Sequence, residues 1–156
     1  RFSRGSIEIR LLDVQECPKA DLAIVSLVVA VLKALIGEQF SGAEDQRAAG
    51  TEVMASILNN CIYDGEEAEI ADRHYLESLG MTGRSTATAG EVWTHLAEKV
   101  MTRSEEHGEA LSVILERGPL SRRIVEALPA STRKHDIAEV YIELCNCLDK
   151  GKLFVP

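Results

Sequence analysis

Aromatic side chains are scarce in this chain: one Trp, three Tyr and three Phe among 156 residues. A core built from this composition is aliphatic, because the large rings that usually anchor one are missing. Positive charge is also in short supply. Lys and Arg number 17 against 25 Asp and Glu, for a net charge of −8. That balance excludes a nucleic-acid surface, which needs a basic stripe. Cysteine is limited to Cys17, Cys61, Cys145 and Cys147. Cys145-x-Cys147 is not a zinc spacing, and His74, His95, His107 and His135 form no pair beside it. Cys61 and Cys145 fall on apolar stripes, so both are expected to be buried, reduced thiols in a cytoplasmic protein. No P-loop, dinucleotide fingerprint or Ser-His-Asp arrangement is present. The run Gly80–Ser85 has too few glycines, and no strand before it, for a P-loop.

No apolar run is long enough for a membrane. Leu22–Ile36 is interrupted only by Ser26 and Lys33, yet a span needs about 20 apolar residues. A buried core helix is expected instead, with no membrane partner. Being apolar on nearly all sides, it should be covered by both a sheet and other helices.

What is there begins with alternation. Ile7, Ile9 and Leu11 point one way; Ser6, Glu8, Arg10 and Leu12 point the other. Period 2 predicts a strand with one buried face. Glu8 and Arg10 then stand side by side on the opposite face, roughly 6.5–7 Å apart at Cα. A carboxylate beside a guanidinium suits a site holding a divalent metal and phosphate oxygens together. The same spacing also occurs on ordinary exposed strand faces, where such a pair stabilises little.

Beyond the strand the pattern is helical. Asp21 is a plausible N-cap for a helix reaching Gly37–Phe40. A second helix is expected from Glu44 to Tyr63, stopped by Asp64-Gly65, and a third over Glu66–Leu79. Gly80–Ala87 reads as a loop. Thr88 with Glu91 forms a capping box for the next helix, whose stripe includes Val92, Trp93 and Leu96. Ser104 caps a further helix ended by Gly118-Pro119, and a short one covers Leu120–Leu128. Arg122-Arg123 reads as a solvated pair. Ile137, Val140, Tyr141, Leu144, Cys145 and Leu148 mark a last helix from Thr132 to Asp149. The expected fold is α+β and predominantly α-helical: one N-terminal β-strand, then a bundle of five to seven helices.

Several of these stretches resemble one family. Ile7-Glu8-x-Arg10-x-x-Asp13 and a turn into a helix are similar to the last active-site strand of the glutamine synthetase superfamily. Asp13-Val14-Gln15-Glu16-Cys17-Pro18 and Ala20-Asp21-Leu22-Ala23 resemble more closely its glutamate–cysteine ligase type 2 branch, the carboxylate–amine ligases. The likeness continues through Asp64–Ala68, Tyr75–Gly80, Thr88–Trp93 with His95-Leu96, and Ile114–Leu120. It extends to Arg122-Arg123-Ile124, Val140-Tyr141 and Glu143-Leu144-Cys145. The resemblance implies that the strand is the edge of a glutamine synthetase-like antiparallel sheet. It implies Glu8 as a metal ligand and Arg10 as the catalytic, cofactor-binding residue that meets nucleotide phosphate or the transferred phosphoryl group. ATP and Mg²⁺ would be the cofactors; an amino-acid carboxylate and an amine would be the substrates. An acyl phosphate would form and the amine would displace phosphate.

The chain starts at Arg1 and opens almost directly on a strand, and one strand cannot make a sheet alone. Residues 1–156 are therefore expected to be a single unit, the C-terminal portion of a larger catalytic domain. Residues 1–18 would supply the active-site strand and turn, and 19–156 the helical region. Such a piece would be inactive without its N-terminal part. Otherwise the strand pairs with the tail near Leu153–Val155 or with another copy, and the apolar first helix also suits a homo-oligomer. The alternative is a non-catalytic helical interaction or regulatory module, in which Glu8 and Arg10 are surface residues.

Overall fold

Proline at the first helical position sets where the helical body begins. Pro18 presets φ and gives up an N–H that no helix would use there. In the computed structural model, which describes residues 4–9, 12–101 and 107–156, α1 accordingly runs Pro18–Ile36 with Cys17 as N-cap. Asp21, expected at the cap, lies in the first turn. Its Oδ1 accepts the Gln15 N–H at 3.0 Å, holding the incoming segment against the helix start.

The remaining elements are α2 (Ala43–Ala48), α3 (Thr51–Asp64), a 3₁₀ turn (Gly65–Glu67), β1 (Glu69–Ile70) and α4 (Arg73–Ser78). They continue with β2 (Ala87–Thr88), α5 (Ala89–Val100), α6 (Gly108–Arg117), α7 (Leu120–Ala127) and α8 (Lys134–Lys150). Eight α-helices and one two-stranded antiparallel sheet are thus present among the described residues, an α+β chain that is mainly helical. The sheet pairs Glu69 with Thr88 and Ile70 with Ala87.

Two expected helices are divided. The one over 44–63 breaks at Ala49, which is extended, and Gly50 caps α3. Glycine in a helix interior is costly, and here it marks the boundary. The one over 66–79 gives way to the 3₁₀ turn, β1 and α4. Ala68 and Ile70 are buried and Glu69 exposed, an alternation too short to read in advance. Asp72 then restarts a helix, its Oδ1 accepting the Tyr75 N–H at 2.7 Å. The capping box of α5 forms as expected: Thr88 N–H donates to Glu91 Oε2 at 2.8 Å and Glu91 N–H to Thr88 Oγ1 at 3.2 Å. Ser104 lies outside the described residues; α6 starts after His107. Gly151, at φ 61° and ψ 34°, ends α8 in the left-handed conformation that favours glycine.

The core forms where α1 packs on α5 and α6, with the small sheet and α4 closing one side. Ala23, Leu27 and Val31 of α1 meet Val92, Leu96 and Leu111. It is aliphatic, as the scarcity of aromatics requires. Trp93, expected within it, is instead 41% exposed. The α8 stripe is buried only at Val140, while Ile137, Tyr141, Cys145 and Leu148 face solvent. Cys145 is therefore an exposed thiol and Cys61 a partly buried one, whose pKa burial raises.

The strand expected over Ser6–Leu12 is not among the strands of the described residues, which are β1 and β2. Ile7 and Ile9, expected to be buried, are exposed, as are Glu8 and Leu12. A strand's face is buried only where another layer packs on its sheet, and the one sheet among the described residues is formed by Glu69–Ile70 and Ala87–Thr88.

Thr88→Ala, which removes one half of the α5 capping box, should cost about 1 kcal/mol. A lowered urea midpoint with an unchanged m-value would show it.

Candidate functional site

Of the two residues chosen for chemistry, Glu8 is described and Arg10 lies outside the described residues. Glu8 stands exposed on the extended segment that leads into α1. That segment is fastened to the helix by the Gln15–Asp21 hydrogen bond, and within the segment Gln15 Nε2 donates to the Asp13 carbonyl at 2.9 Å. Among the described residues no group of three His, Cys, Asp or Glu side chains is placed to hold a metal ion. The described residues alone do not make a Mg²⁺ site; if Glu8 supplied one carboxylate, the further ligands would have to come from outside them.

An open cleft of about 1080 Å³ lies elsewhere, bordered by the 3₁₀ turn, α5 and the α6–α7 turn. Its carboxylates (Glu66, Glu67, Glu91, Glu98, Glu116 and Glu126) outnumber its guanidiniums (Arg84, Arg117 and Arg122). Two of the latter are already paired, Arg84 with Glu91 at 2.9 Å and Arg122 with Glu66. The Glu66 carboxylate raises the Arg122 pKa, chiefly through the hydrogen bond. Such a lining is net acidic and offers a bare polyphosphate little attraction. Trp93 and His95 line the same cleft, and His95 Nε2 is buried with no hydrogen-bond partner among the described residues.

The most developed polar arrangement holds the ends of the fold together. Arg123, expected to be solvated, has a side chain at 0% exposure, as does Glu16. Its Nη1 donates to Glu16 Oε1 at 2.6 Å and to the Phe154 carbonyl at 2.5 Å; its Nε donates to the Gly118 carbonyl at 3.2 Å. Phe154 N–H returns a hydrogen bond to Glu16 Oε1 at 3.1 Å. A buried ion pair survives only when its remaining hydrogen-bonding groups are also served, and here they are. Burial alone would raise the Glu16 pKa. The Arg123 hydrogen bond, two backbone N–H groups and the Arg123 charge outweigh it, and the net direction is down.

Sequence reasoning missed this network. One signal was available: Leu120, Arg123, Ile124 and Ala127 share the i, i+3, i+4, i+7 register of α7. An arginine on that inward register demands a buried carboxylate. Nothing local marks Glu16 as the partner, 107 residues away.

No family model matches the chain, and no solved structure matches it. An uncharacterized protein of Archaeoglobus fulgidus is 26% identical over 155 residues, covering 99% of this chain and 35% of that protein. The chain thus spans about a third of the length of the curated relative it matches.

Arg123→Ala would strand the Glu16 carboxylate in the interior and should cost about 3–5 kcal/mol. Glu16 holds its proton more weakly when folded than when unfolded. Its contribution is therefore complete above the unfolded value of about 4.3 and is lost as pH falls through the lower folded value. The urea midpoints of wild type and Glu16→Gln should differ at neutral pH and converge as the solution is acidified.

Proposed function

We propose that this chain is the C-terminal segment of an ATP-dependent carboxylate–amine ligase of the glutamate–cysteine type, inactive by itself. The observation that carries the reading is the segment Ile7-Glu8-x-Arg10-x-x-Asp13 and its setting. It precedes α1 directly, is fastened to that helix at Gln15, and presents Glu8 to solvent at the edge of the helical body. That setting supports the reading of the segment as one wall of a shared site, whose other walls further polypeptide would contribute. The whole protein would join a carboxylate such as the γ-carboxyl of glutamate to an amine such as that of cysteine. ATP and Mg²⁺ would be required, and the compartment would be cytoplasmic.

In this reading the charge of Arg10 offsets charge spreading over the phosphoryl oxygens. Glu8 contributes one carboxylate to a divalent-cation site completed by groups outside the described residues. The acidic cleft between α5 and the α6–α7 turn takes no part. No helix among the described residues is long and apolar enough to cross a membrane, in keeping with small-molecule substrates. A second reading, a non-catalytic interaction or regulatory module, draws on the exposed apolar residues of α1 and α8.

A hydroxamate assay on the complete reading frame separates the two. With ATP, Mg²⁺, glutamate and hydroxylamine, the ligase reading expects hydroxamate that depends on both ATP and glutamate. Glu8→Gln should abolish most of that turnover while leaving the urea midpoint within about 0.5 kcal/mol of wild type. Absence of hydroxamate with glutamate and with a panel of other carboxylic acids would favour the module.

A further inference from the structure

Helix α8 leans on the body of the protein by one side. Asp136 and Val140 are buried, and Leu144 and Cys147 are half-buried in the same i, i+4, i+8, i+11 register. A second apolar stripe runs beside this one in an identical register and is open. Ile137 is 42%, Tyr141 56% and Leu148 58% exposed, with Cys145 exposed between the last two. A helix face left to water carries charge; an apolar one calls for a cover.

The charges of α8 are sorted around this stripe. At 100° per residue, Glu139 and Glu143 stand about 160° from its centre, on the far side of the helix. Glu139 is held there by His135 at 3.1 Å. Only the ends of the stripe are charged, by Lys134 in the first turn and Asp149 in the last, both exposed. Neither forms an ion pair among the described residues. One sign at each end and nothing between is a self-complementary pattern. An antiparallel second helix of the same kind sets each Lys134 beside an Asp149 and opposes the two helix dipoles. A parallel one sets lysine on lysine and aspartate on aspartate, which costs energy. The pairing of 134 with 149 centres the twofold axis between Tyr141 and Ile142, and Ile142 is 63% exposed. An aromatic anchor thus falls at the middle of the contact, where interface energy concentrates.

The exposed area leaves room for such a contact. The chain exposes 10634 Å², whereas a compact monomer of its 17.1 kDa exposes about 7,700 Å². The surplus is well above the roughly 800 Å² that each partner contributes to a standard interface. We infer that the occupant of this face is a second copy of the chain: two α8 helices pack antiparallel across a twofold axis at Tyr141, with Lys134 of each facing Asp149 of the other. An isologous contact needs a surface that matches itself under that rotation, and the stripe does. The inference concerns assembly and is independent of the reaction the whole protein performs.

Sedimentation velocity on the complete reading frame tests it across a concentration series. Wild type should be dimeric, and Tyr141→Glu should raise the dimer dissociation constant at least about thirtyfold. Lys134→Glu should weaken the dimer, and Lys134→Glu combined with Asp149→Lys should restore it. A wild type that stays monomeric would overturn the proposal. So would a dimer that withstands Tyr141→Glu, by placing the contact on another surface, or a double variant no tighter than Lys134→Glu alone. Cross-linking keeps the question open to an answer if Tyr141→Glu fails to fold. Under mild oxidation Tyr141→Cys should yield a disulfide between copies, mapped by mass spectrometry, and Glu139→Cys on the far side should not. Equal cross-linking at both positions would count against the arrangement.

Discussion

The ion pair between Glu16 and Arg123 is the constraint around which the ends of this fold are arranged. It joins the residue just before α1, the middle of α7 and the backbone of Phe154 in one dehydrated cluster. Two charges taken out of water are costly, and their attraction offsets that cost only when the spare donors and acceptors are also satisfied. Gly118 and Phe154 provide those partners, so the α6–α7 turn and the C-terminal tail are held where the pair needs them. Specific position, more than raw stability, follows from such an arrangement.

What the sequence revealed and what it concealed divide along physical lines. Local signals were legible: the Thr88–Glu91 capping box, the glycine stops at Gly65 and Gly151, and the long apolar α1. Each rests on groups within a few residues of one another. The two-residue strands at Glu69–Ile70 and Ala87–Thr88 were not legible, because their pairing is decided by tertiary contact and their alternation is too short to stand out. The burial of Arg123 depends on a carboxylate distant in sequence, and a doubled arginine beside a turn looks solvated when read alone. Trp93 sits on an apolar register, yet that register looks onto an open cleft. Of the candidate site, the structure describes Glu8, exposed on an extended segment, while Arg10 lies outside the described residues.

Charge sorts the surfaces by purpose. The broad cleft beside α5 is dominated by carboxylates, which leaves a bare polyphosphate little attraction despite its three arginines. The side bearing Glu8 is apolar apart from a few groups: α1 contributes Leu22, Val25 and Val29, and the approaching segment contributes Ile7, Ile9, Leu12 and Val14. An acidic group on such a side acquires chemical force once water is excluded, because electrostatic interactions strengthen as the local dielectric falls.

The bond between Glu16 and Phe154 also bears on how the molecule is made. A ribosome delivers α1 early and Phe154 late, since residues appear in order at about 5–20 per second. Throughout that interval the Glu16 carboxylate has neither Phe154 N–H nor the full set of groups that justify its burial. The nascent chain must therefore hold α1 by its apolar contacts with α5 and α6, keeping the site of the ion pair hydrated. Water leaves it last, when the tail arrives and closes the final gap.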